Sequence, residues 1–495
     1  MKSWFRFASF IFVLLIASTS SADGTSKVPS EVLEFKHKID QLLSHSCLRK
    51  KEFGALIYSL DRKETLYSRN SERLLIPASN LKLVTTALAL KELGPDFRFE
   101  TNLYSDGKIE GDHLIGDLYI KGFGDPKLVT EQMWLLANQL KNVPIRKITG
   151  NIIADDSYFD RQRRVKTWKS NPGAQAYNAP LGALSFNFNT VTAFIQPGKK
   201  AGDKPVVMVE PETRYIRLSN VASTIGKNEK AELWVNRVDQ KSHDQVTVSG
   251  TIRENQKRAT YYLNITDPTN YAVNVFKEYL ERAGVEVTGN TQNGTVPPKA
   301  KRLVRHESEP IALALRGLNK FSNNFVAEQI LKTLAAKRFG PPGTTENGLK
   351  FLRDYMQSIG VSSNEYKIVD ASGLSKQNRL SPAHLVAVLK DMHSDLSVYP
   401  EFVSALGIMG LDGNVKNRMR GIKEAQKARV KTGTLNRVNS LSGYFQSQDG
   451  EQFAFSILMN ELKCSHSQAR GIQDKIIHQG LKFKRLKNSI EGEPR

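Results

Sequence analysis

The sequence is poor in the residues that build metal centres and cross-linked scaffolds. It has two cysteines among 495 residues, which excludes a disulfide-dense fold, a zinc-finger array and an iron–sulfur protein. Its nine histidines show no paired ligand spacing, and the His-Glu-x-x-His motif of zinc peptidases does not occur. A metallopeptidase is therefore not expected, and no cofactor is predicted.

Long hydrophobic runs are also lacking, since no stretch reaches the roughly eighteen apolar residues that a transmembrane helix needs. The main apolar run, residues 7–17, is preceded by Lys2 and Arg6 and followed by small residues at 20–22. This arrangement predicts a signal peptide over residues 1–22 and export of the mature chain. A membrane anchor is the alternative interpretation.

Acidic residues are scarce relative to basic ones, with 50 Asp and Glu against 71 Lys and Arg and a net charge of +21. Such an excess predicts attraction to polyanions. Nucleic acid is not expected as a partner, because the chain has no recognition-helix pattern, zinc knuckle or aromatic RNA-binding signature. An anionic wall polymer or membrane surface suits an exported protein better, and a basic surface that serves only solubility is the alternative.

The C-terminal tail concentrates this charge and mixes it with apolar residues. A weak membrane-surface helix and a solvated tail are both compatible with that composition. Its basic residues are Lys482, Lys484, Arg485 and Lys487, and its apolar residues are Leu481, Phe483 and Leu486.

The remaining composition is that of a folded protein, with 40% hydrophobic and 24% charged residues. The length corresponds to about two to four domains. Helical periodicity at residues 28–43 and 77–93 flanks a β-hairpin pattern at 53–67, whereas short alternating runs dominate residues 97–289. Helical patterns return from residue 310, and the chain closes with three strand patterns and a helix at 465–481. These patterns predict a multidomain α/β protein, in which both chain ends form one domain and β-rich domains are inserted into it.

Four short motifs carry the candidate chemistry. The first is Ser79-Asn80-Leu81-Lys82, whose spacing places Ser79 and Lys82 one helical turn apart. A serine hydroxyl becomes a strong nucleophile only when a base removes its proton, and a lysine amine can do so when it is neutral. Taken alone the motif is weak, since Ser105-Asp106-Gly107-Lys108 has the same spacing in a turn and Ser79 could be a surface helix serine.

The other motifs follow in the chain, and each also has a purely structural interpretation. Ser322-Asn323-Asn324 could supply a proton relay and an amide, or could cap a helix. Lys431-Thr432-Gly433-Thr434 could hold a carboxylate beside an extended substrate, or could be an edge strand. The loop of residues 370–375, beginning with Asp370, is typical of an Asx-type turn.

Together, Ser-x-x-Lys, Ser-x-Asn and Lys-Thr-Gly in this order are typical of penicillin-binding proteins and serine β-lactamases. The chain resembles the class C low-molecular-mass penicillin-binding proteins, the D-alanyl-D-alanine carboxypeptidase/endopeptidases of the penicillin-binding protein 4 type. The 240 positions between Lys82 and Ser322 match the long insertion of that family. Further matching stretches are residues 122–126, 155–159, 179–185 and 441–444, with mild departures at Phe123, Gly182 and Ala371.

The resemblance implies a penicillin-recognising, transpeptidase-like domain with an antiparallel sheet flanked by helices, plus inserted β-rich domains. The domain boundaries it suggests are 23–92 with 301–495 for the catalytic domain, 93–192 with 256–300 for a second domain, and 193–255 for a nested third domain. It implies a serine D,D-peptidase that acts on peptidoglycan stem peptides in the periplasm, or at the wall of a host without an outer membrane. β-Lactams are expected to acylate it.

The resemblance also assigns roles to individual residues. Ser79 would be the nucleophile and Lys82 its base, Ser322 would pass the proton to the leaving amine, and Lys431 would keep Lys82 neutral by repulsion. Asn324 would hold the acyl peptide, while Lys431 and Thr432 would bind the terminal carboxylate. The backbone N–H groups of Ser79 and of Thr434, the residue after Gly433, would form the oxyanion hole.

Three weaker assignments follow from the same resemblance. Asp155 could bind the ammonium group and Arg379 the carboxylate of a diaminopimelate side chain, although Asp155 also suits a turn. In the resembled fold the strands beside Cys47 and Cys464 are antiparallel neighbours, so these cysteines could form a disulfide or stay free.

Two other functions stay open from the sequence. A serine β-lactamase would need a deacylating base, and no matching Glu element is evident, while Ser322 stands where class C β-lactamases have tyrosine. A non-catalytic wall-binding or penicillin-sensing protein is the second alternative, against which the intact motifs speak.

Overall fold

The computed structural model describes residues 28–48, 52–168 and 173–486. The predicted signal peptide, residues 1–22, lies outside the described residues, as does Lys487. Across the described ranges, none of the helices combines the length and the apolar character that crossing a membrane requires.

The described residues form ten α-helices and twenty-two β-strands. The helices are α1 Ser30–Leu43, α2 Lys82–Leu93, α3 Thr130–Gln139, α4 Pro268–Arg282, α5 Ile311–Phe321, α6 Asn324–Phe339, α7 Thr345–Ser358, α8 Pro382–Ser394, α9 Tyr399–Ala405 and α10 His466–Lys482. The first eleven strands are β1 Phe53–Ser59, β2 Glu64–Arg69, β3 Glu100–Ser105, β4 Lys108–Glu110, β5 His113–Ile115, β6 Leu118–Gly122, β7 Lys147–Ile148, β8 Ile152–Asp155, β9 Thr190–Gln196, β10 Val206–Glu210 and β11 Ile216–Asn220. The others are β12 Ser223–Ile225, β13 Leu233–Asp239, β14 Asp244–Arg253, β15 Ala259–Asn264, β16 Glu286–Val287, β17 Thr291–Asn293, β18 Lys301–Glu307, β19 Gly407–Ile408, β20 Ala428–Leu435, β21 Val438–Gln446 and β22 Gln452–Met459.

A six-stranded antiparallel sheet in the order β19-β20-β21-β22-β1-β2 joins the two ends of the chain. The predicted hairpin at residues 53–67 is confirmed as β1 and β2, and the three strand patterns near the C-terminus are confirmed as β20 to β22. The predicted last helix corresponds to α10. The multidomain α/β class is therefore confirmed.

Both faces of this sheet are buried, which explains why β22 is almost continuously apolar. Phe453 and Phe455 point to the core that contains α1 and α10, whereas Ala454 and Leu458 point to the core that contains α2 and α8. Side chains alternate along a strand, so a strand between two helical layers needs apolar residues on both faces. Helices α5, α6, α7 and α9 complete the second core.

The insertion after α2 has its own sheets and its own core. A five-stranded sheet (β17-β8-β6-β3-β18) and a four-stranded sheet (β16-β7-β5-β4) accompany a three-stranded sheet (β10-β9-β15) and a second four-stranded sheet around β14. The domain boundaries stay a prediction, and we propose one change to them. Strand β18 pairs antiparallel with β3 from residue 301 to 307, so the return crossing belongs after Glu307 rather than at residue 301.

The C-terminal tail is folded against the catalytic domain. Leu481 and Phe483 are buried in the core with α1, and Arg485 donates hydrogen bonds to Glu451 and Glu64. A membrane-surface helix was one of two interpretations of the tail, and the burial of Leu481 and Phe483 removes most of the apolar face that it would need. Membrane contact by the basic surface as a whole stays a prediction.

Cys47 and Cys464 are joined in a disulfide whose Cα atoms lie 5.1 Å apart. The bond connects the segment before β1 to the segment after β22, and these two strands are antiparallel neighbours. It therefore ties together the N-terminal and C-terminal parts of the domain that contains the six-stranded sheet, through two cysteines 417 positions apart in the sequence.

Replacement of both cysteines, Cys47→Ser with Cys464→Ser, should lower the free energy of unfolding by about 2–5 kcal/mol, because the unfolded chain gains conformational entropy. Urea denaturation of the oxidised protein and of the double variant measures the difference. The reduced wild type is the matched control and should unfold like the variant. Coinciding curves for the oxidised protein and the variant would contradict the prediction.

Candidate active site

Ser79 lies on a short 3-10 turn, Ala78–Leu81, that leads directly into α2. The sequence pattern predicted a single helix over residues 77–93, but the α-helix begins only at Lys82. Ala78 has a φ of 48°, which is uncommon for a residue with a Cβ atom and indicates a constrained turn. The turn brings Ser79 Oγ to 3.0 Å from Lys82 Nζ.

Two serines of the neighbouring strand β21 hold this turn in place. Ser440 Oγ donates a hydrogen bond of 2.7 Å to the carbonyl oxygen of Pro77. Asn80 Nδ2 donates one of 2.6 Å to Ser442 Oγ. Because both bonds are buried, they fix the nucleophile's backbone against the sheet on either side of Ser79.

Lys82 is completely buried, and its amine contacts three separate segments of the chain. Nζ lies 2.7 Å from Asn324 Oδ1 and 2.5 Å from the carbonyl oxygen of Ser372, both of which accept hydrogen bonds from it. A neutral amine has two N–H groups, and these two acceptors occupy them. Its lone pair is then left for the hydroxyl of Ser79, which is the geometry that a general base requires.

Burial lowers the pKa of Lys82 to about 7. The expected cause was repulsion by Lys431, and that expectation is corrected: loss of hydration is the main cause. The nearby carboxyl groups of Asp370 and Glu328 act in the opposite direction. A considerable fraction of Lys82 is therefore neutral near pH 7.

Ser322 and Asn324 lie where helices α5 and α6 meet. The sequence pattern predicted helix over residues 310–338, with Ser322-Asn323-Asn324 opening or interrupting it. The structure has the interruption: Ser322 has a left-handed conformation with φ of 62° and ends α5. Asn323, not Ser322, caps α6 by accepting a hydrogen bond from the N–H of Val326. The break turns Ser322 and Asn324 toward the cleft, which a continuous helix would not do.

Lys431 extends from strand β20 and is also completely buried. Its Nζ donates hydrogen bonds of 2.9 Å to Ser322 Oγ and 2.7 Å to the carbonyl oxygen of Thr432. Burial, followed by the nearby charge of Lys82, moves the pKa of Lys431 well below its ordinary value. Lys431 therefore orients the hydroxyl of Ser322 within the structure.

Gly433 lies where β20 passes close to Ser79. A Cβ atom built on Gly433 would be 2.2 Å from Ser440 Oγ and 2.9 Å from the backbone nitrogen of Ser79. A side chain at this position would therefore displace either the strand or the turn. The oxyanion hole formed by the N–H groups of Ser79 and Thr434 stays a prediction.

The loop that begins at Asp370 has both the predicted turn chemistry and a place in the site. The Asp370 carboxylate accepts hydrogen bonds from the N–H groups of Gly373 and Ser375. Gly373 has a φ of 79°, and a Cβ atom there would be 1.9 Å from the carbonyl oxygen of Ala78. The loop thus packs directly against the nucleophile's turn and presents the Ser372 carbonyl to the lysine.

These elements surround a cleft with a volume of about 890 Å³. Its walls come from the insertion, from the helix junction and neighbouring loops, and from β20 with the residues after it. Five of the predicted site residues line it: Ser79, Ser322, Asn324, Thr432 and Thr434.

Asp155 and Arg379 are not among the residues that line this cleft. The carboxylate of Asp155 is fully buried in an ion pair with Lys121 and also accepts from the N–H of Ser157, which favours the alternative of a turn residue. Arg379 donates to the carbonyl oxygens of Lys376 and Asn378 in its own loop. The structure therefore does not bring this pair together as a diaminopimelate site.

Three residues of the site had not been predicted. Tyr177 and Trp168 come from the insertion: the Tyr177 carbonyl accepts from Asn324 Nδ2, and Trp168 Nε1 donates to Asp370. Glu328 is buried on α6 and accepts from the N–H groups of Ala371 and Ser372. Its position, four residues after Asn324 on the same helix face, is the one signal that could have revealed it.

Comparison with known proteins agrees with this geometry. The family model described as "D-Ala-D-Ala carboxypeptidase 3 (S13) family" matches residues 35–479. The D-alanyl-D-alanine carboxypeptidase of Actinomadura sp. (strain R39) is 30% identical over 461 residues, which cover 90% of this chain and 84% of that protein. D-alanyl-D-alanine carboxypeptidase DacB of Haemophilus influenzae is 25% identical over 412 residues, 82% of this chain and 85% of that protein.

A solved structure has the same fold. The crystal structure of penicillin binding protein 4 (dacB) from Haemophilus influenzae superposes with a TM-score of 0.78 at 23% identity, over 91% of this chain and 99% of that one. The resemblance to class C penicillin-binding proteins of the penicillin-binding protein 4 type is thereby confirmed. Because the family match extends over most of the sequence and includes all of the motif residues, the chain belongs to the D-Ala-D-Ala carboxypeptidase 3 (S13) family.

Proposed function

We propose that this protein is a serine D,D-peptidase that removes the terminal D-alanine from peptidoglycan stem peptides through an acyl-enzyme on Ser79. The observation that carries the proposal is the arrangement of the Lys82 amine. Both N–H groups of its neutral form have acceptors, and Ser79 Oγ lies 3.0 Å away. Membership of a carboxypeptidase family supports the substrate class.

Acylation follows from the positions of four side chains. Ser79 Oγ attacks the carbonyl carbon between two D-alanines while its proton passes to Lys82. The oxyanion is held by backbone N–H groups of Ser79 and Thr434, and the loss of one such donor costs about 10²–10³ in rate. The hydroxyl of Ser322, which Lys431 orients, relays that proton from Lys82 to the leaving amine as the C–N bond breaks. Water later hydrolyses the ester and releases the acyl group from Ser79.

The same pocket accounts for two further activities. A β-lactam presents a strained amide to Ser79, and slow hydrolysis of the resulting ester traps the enzyme. If the pocket accepts a D-configured residue of a second stem peptide on the leaving side of the scissile bond, the enzyme would cut cross-links as an endopeptidase. We place this chemistry outside the cytoplasm, in the periplasm, because the N-terminal sequence has the pattern of a signal peptide.

Replacement of the nucleophile, Ser79→Ala, should abolish both covalent labelling by fluorescent penicillin and release of D-alanine, because the ester can no longer form. Gel fluorescence and amino-acid analysis measure the two losses. Ser105→Ala is the matched control, since Ser105 has the same Ser-x-x-Lys spacing but donates to the Asp117 carbonyl away from the cleft. Inactivity of Ser105→Ala would show that the motif was assigned wrongly, and rapid cephalosporin turnover by the wild type would favour a β-lactamase.

The rate of acylation should rise with pH through about 7, the pKa to which burial brings Lys82. Only the neutral amine accepts the Ser79 proton, so the rate at pH 5 should be about 100-fold below its plateau. Stopped-flow measurement of β-lactam acylation between pH 5 and 9 gives the profile. A flat profile over this range would exclude Lys82 as the base.

Glu328 supports the site through its two hydrogen bonds to the loop at Ala371 and Ser372. Glu328→Ala should slow acylation about tenfold to 100-fold, because it leaves two buried N–H groups without an acceptor beside the carbonyl that binds Lys82. Burial raises the pKa of the Glu328 carboxyl above its ordinary value. Glu328→Gln keeps a side-chain oxygen as an acceptor for the two N–H groups and is the matched control, which should keep most of the activity.

The two Glu328 variants are compared by acylation rate at pH 7 and by thermal unfolding. Equal losses in both variants would contradict a role for the side-chain oxygen of Glu328 as an acceptor for the loop.

A further inference from the structure

The cleft is short of positive charge, although its expected ligand ends in a carboxylate. Among the described residues that line it, Lys376 is the single Lys or Arg. Lys431, which the family resemblance assigns to the carboxylate, is completely buried and already donates to Ser322 and Thr432. Its pKa is lowered, so a smaller fraction of Lys431 carries a positive charge. Apart from Lys376, a positive charge for the carboxylate therefore has to come from residues outside the lining of the cleft.

A second, smaller pocket adjoins the cleft beside strand β20. Its volume is about 200 Å³, enough for a carboxylate group with several water molecules, each of which takes up about 30 Å³. It shares Asn414, Thr432 and Thr434 with the lining of the main cleft, so the two spaces meet at the threonines. Its other lining residues are Arg418, Gly433, Asn439, Ser440, Arg470 and Gln473.

Two arginines make this pocket cationic. Arg418 is 8% exposed and is held by Asp474, to which its Nε donates a hydrogen bond of 2.8 Å. Asp474 compensates one positive charge, which leaves the exposed Arg470 as the excess. Arg470 is fixed on α10 by a hydrogen bond from its Nε to the carbonyl oxygen of His466.

Gln473 provides a second and independent indication of a ligand. Its side chain is completely buried, and Oε1 accepts a hydrogen bond of 3.2 Å from Arg418 Nη2. That contact sets the orientation of the amide, because its oxygen must face the guanidinium group. Nε2, in contrast, is a buried donor without a hydrogen-bond partner in the described structure. Buried donors are nearly always satisfied, so this one is expected to meet an acceptor in the pocket.

We propose that Arg418, Arg470 and Gln473 form an anion subsite that binds the carboxylate of the residue on the leaving side of the scissile bond, with Thr432 and Thr434 at its entrance. The inference rests on the proposed function, since it assigns part of the same substrate. Arg470 and Gln473 determine specificity for a free carboxylate, and Arg418 keeps Gln473 oriented. Lys431 is left to orient the proton relay.

The test uses two probes that differ only in this group: benzylpenicillin, which has a free carboxylate, and its methyl ester, which does not. The rate of Ser79 acylation by each is measured for the wild type, Arg470→Gln and Gln473→Glu. Gln473→Glu keeps the shape of the side chain but replaces the unpartnered donor with a carboxylate oxygen. Lys475→Gln is the matched control, because it removes one positive charge from an exposed site on α10 outside the pocket.

We expect the wild type to react faster with the acid than with the ester. Arg470→Gln and Gln473→Glu should each slow acylation by the acid about tenfold, the effect of losing a charge-assisted hydrogen bond, and leave acylation by the ester unchanged. Lys475→Gln should behave like the wild type with both probes. Thermal unfolding midpoints equal to that of the wild type exclude misfolding as the cause.

Two results would overturn the subsite while the proposed function stands. One is an equal rate of the acid and the ester in the wild type, and the other is an unchanged acid-to-ester ratio in both pocket variants. A loss of preference in Lys376→Gln in place of Arg470→Gln would assign the carboxylate to Lys376. Absence of Ser79 labelling by either probe in the wild type would instead refute the proposed function.

Discussion

The amine of Lys82 is buried where a turn, a helix and a loop meet, and the catalytic geometry depends on this burial. Removing an ammonium group from water costs several kcal/mol, so the amine is held more readily as a neutral base. A neutral amine still needs acceptors for its N–H groups, and the structure supplies them from Asn324 and Ser372. Each acceptor comes from a different part of the chain. The reactivity of Ser79 is thus a property of the assembled domain rather than of the local Ser-x-x-Lys segment.

The long insertion interrupts that domain with little effect on its assembly. The chain enters the insertion through β3 and leaves it through β18. These two strands, residues 100–105 and 301–307, pair antiparallel. The two ends of the insertion therefore lie side by side, and the chain re-enters the catalytic domain close to where it left it. The entropy of closing a loop grows only slowly with its length, so the insertion costs little more than a shorter one would. It also contributes to the cleft, because Trp168 and Tyr177 belong to it.

The motifs allowed the central site to be predicted because each motif also indicates the type of secondary structure on which it lies. The spacing of Ser79 and Lys82 indicated a helix, and Lys431-Thr432-Gly433-Thr434 indicated a strand with an extended substrate beside it. The helix junction at Ser322-Asn323-Asn324 was predicted, but the left-handed conformation of Ser322 was not, because the residues on both sides favour helix and the break depends on the cap at Asn323. The wall residue Trp168 was missed for another reason: its partner Asp370 lies 202 positions away, and no local pattern encodes that contact.

Lys82 and Lys431 show that residue type alone does not decide the role of a lysine. From the sequence, a lysine beside threonines suggests a cation for a carboxylate, but that role requires contact with solvent or substrate. Lys431 is completely buried, and burial, followed by the nearby charge of Lys82, lowers its pKa, so a positive charge at Lys431 is costly. The site must therefore separate proton transfer, which needs dry and neutral groups, from anion binding, which needs charged ones. Strand β20 is where the two meet: Lys431 points inward to Ser322, whereas Thr432 and Thr434 face the cleft and the arginine-lined pocket.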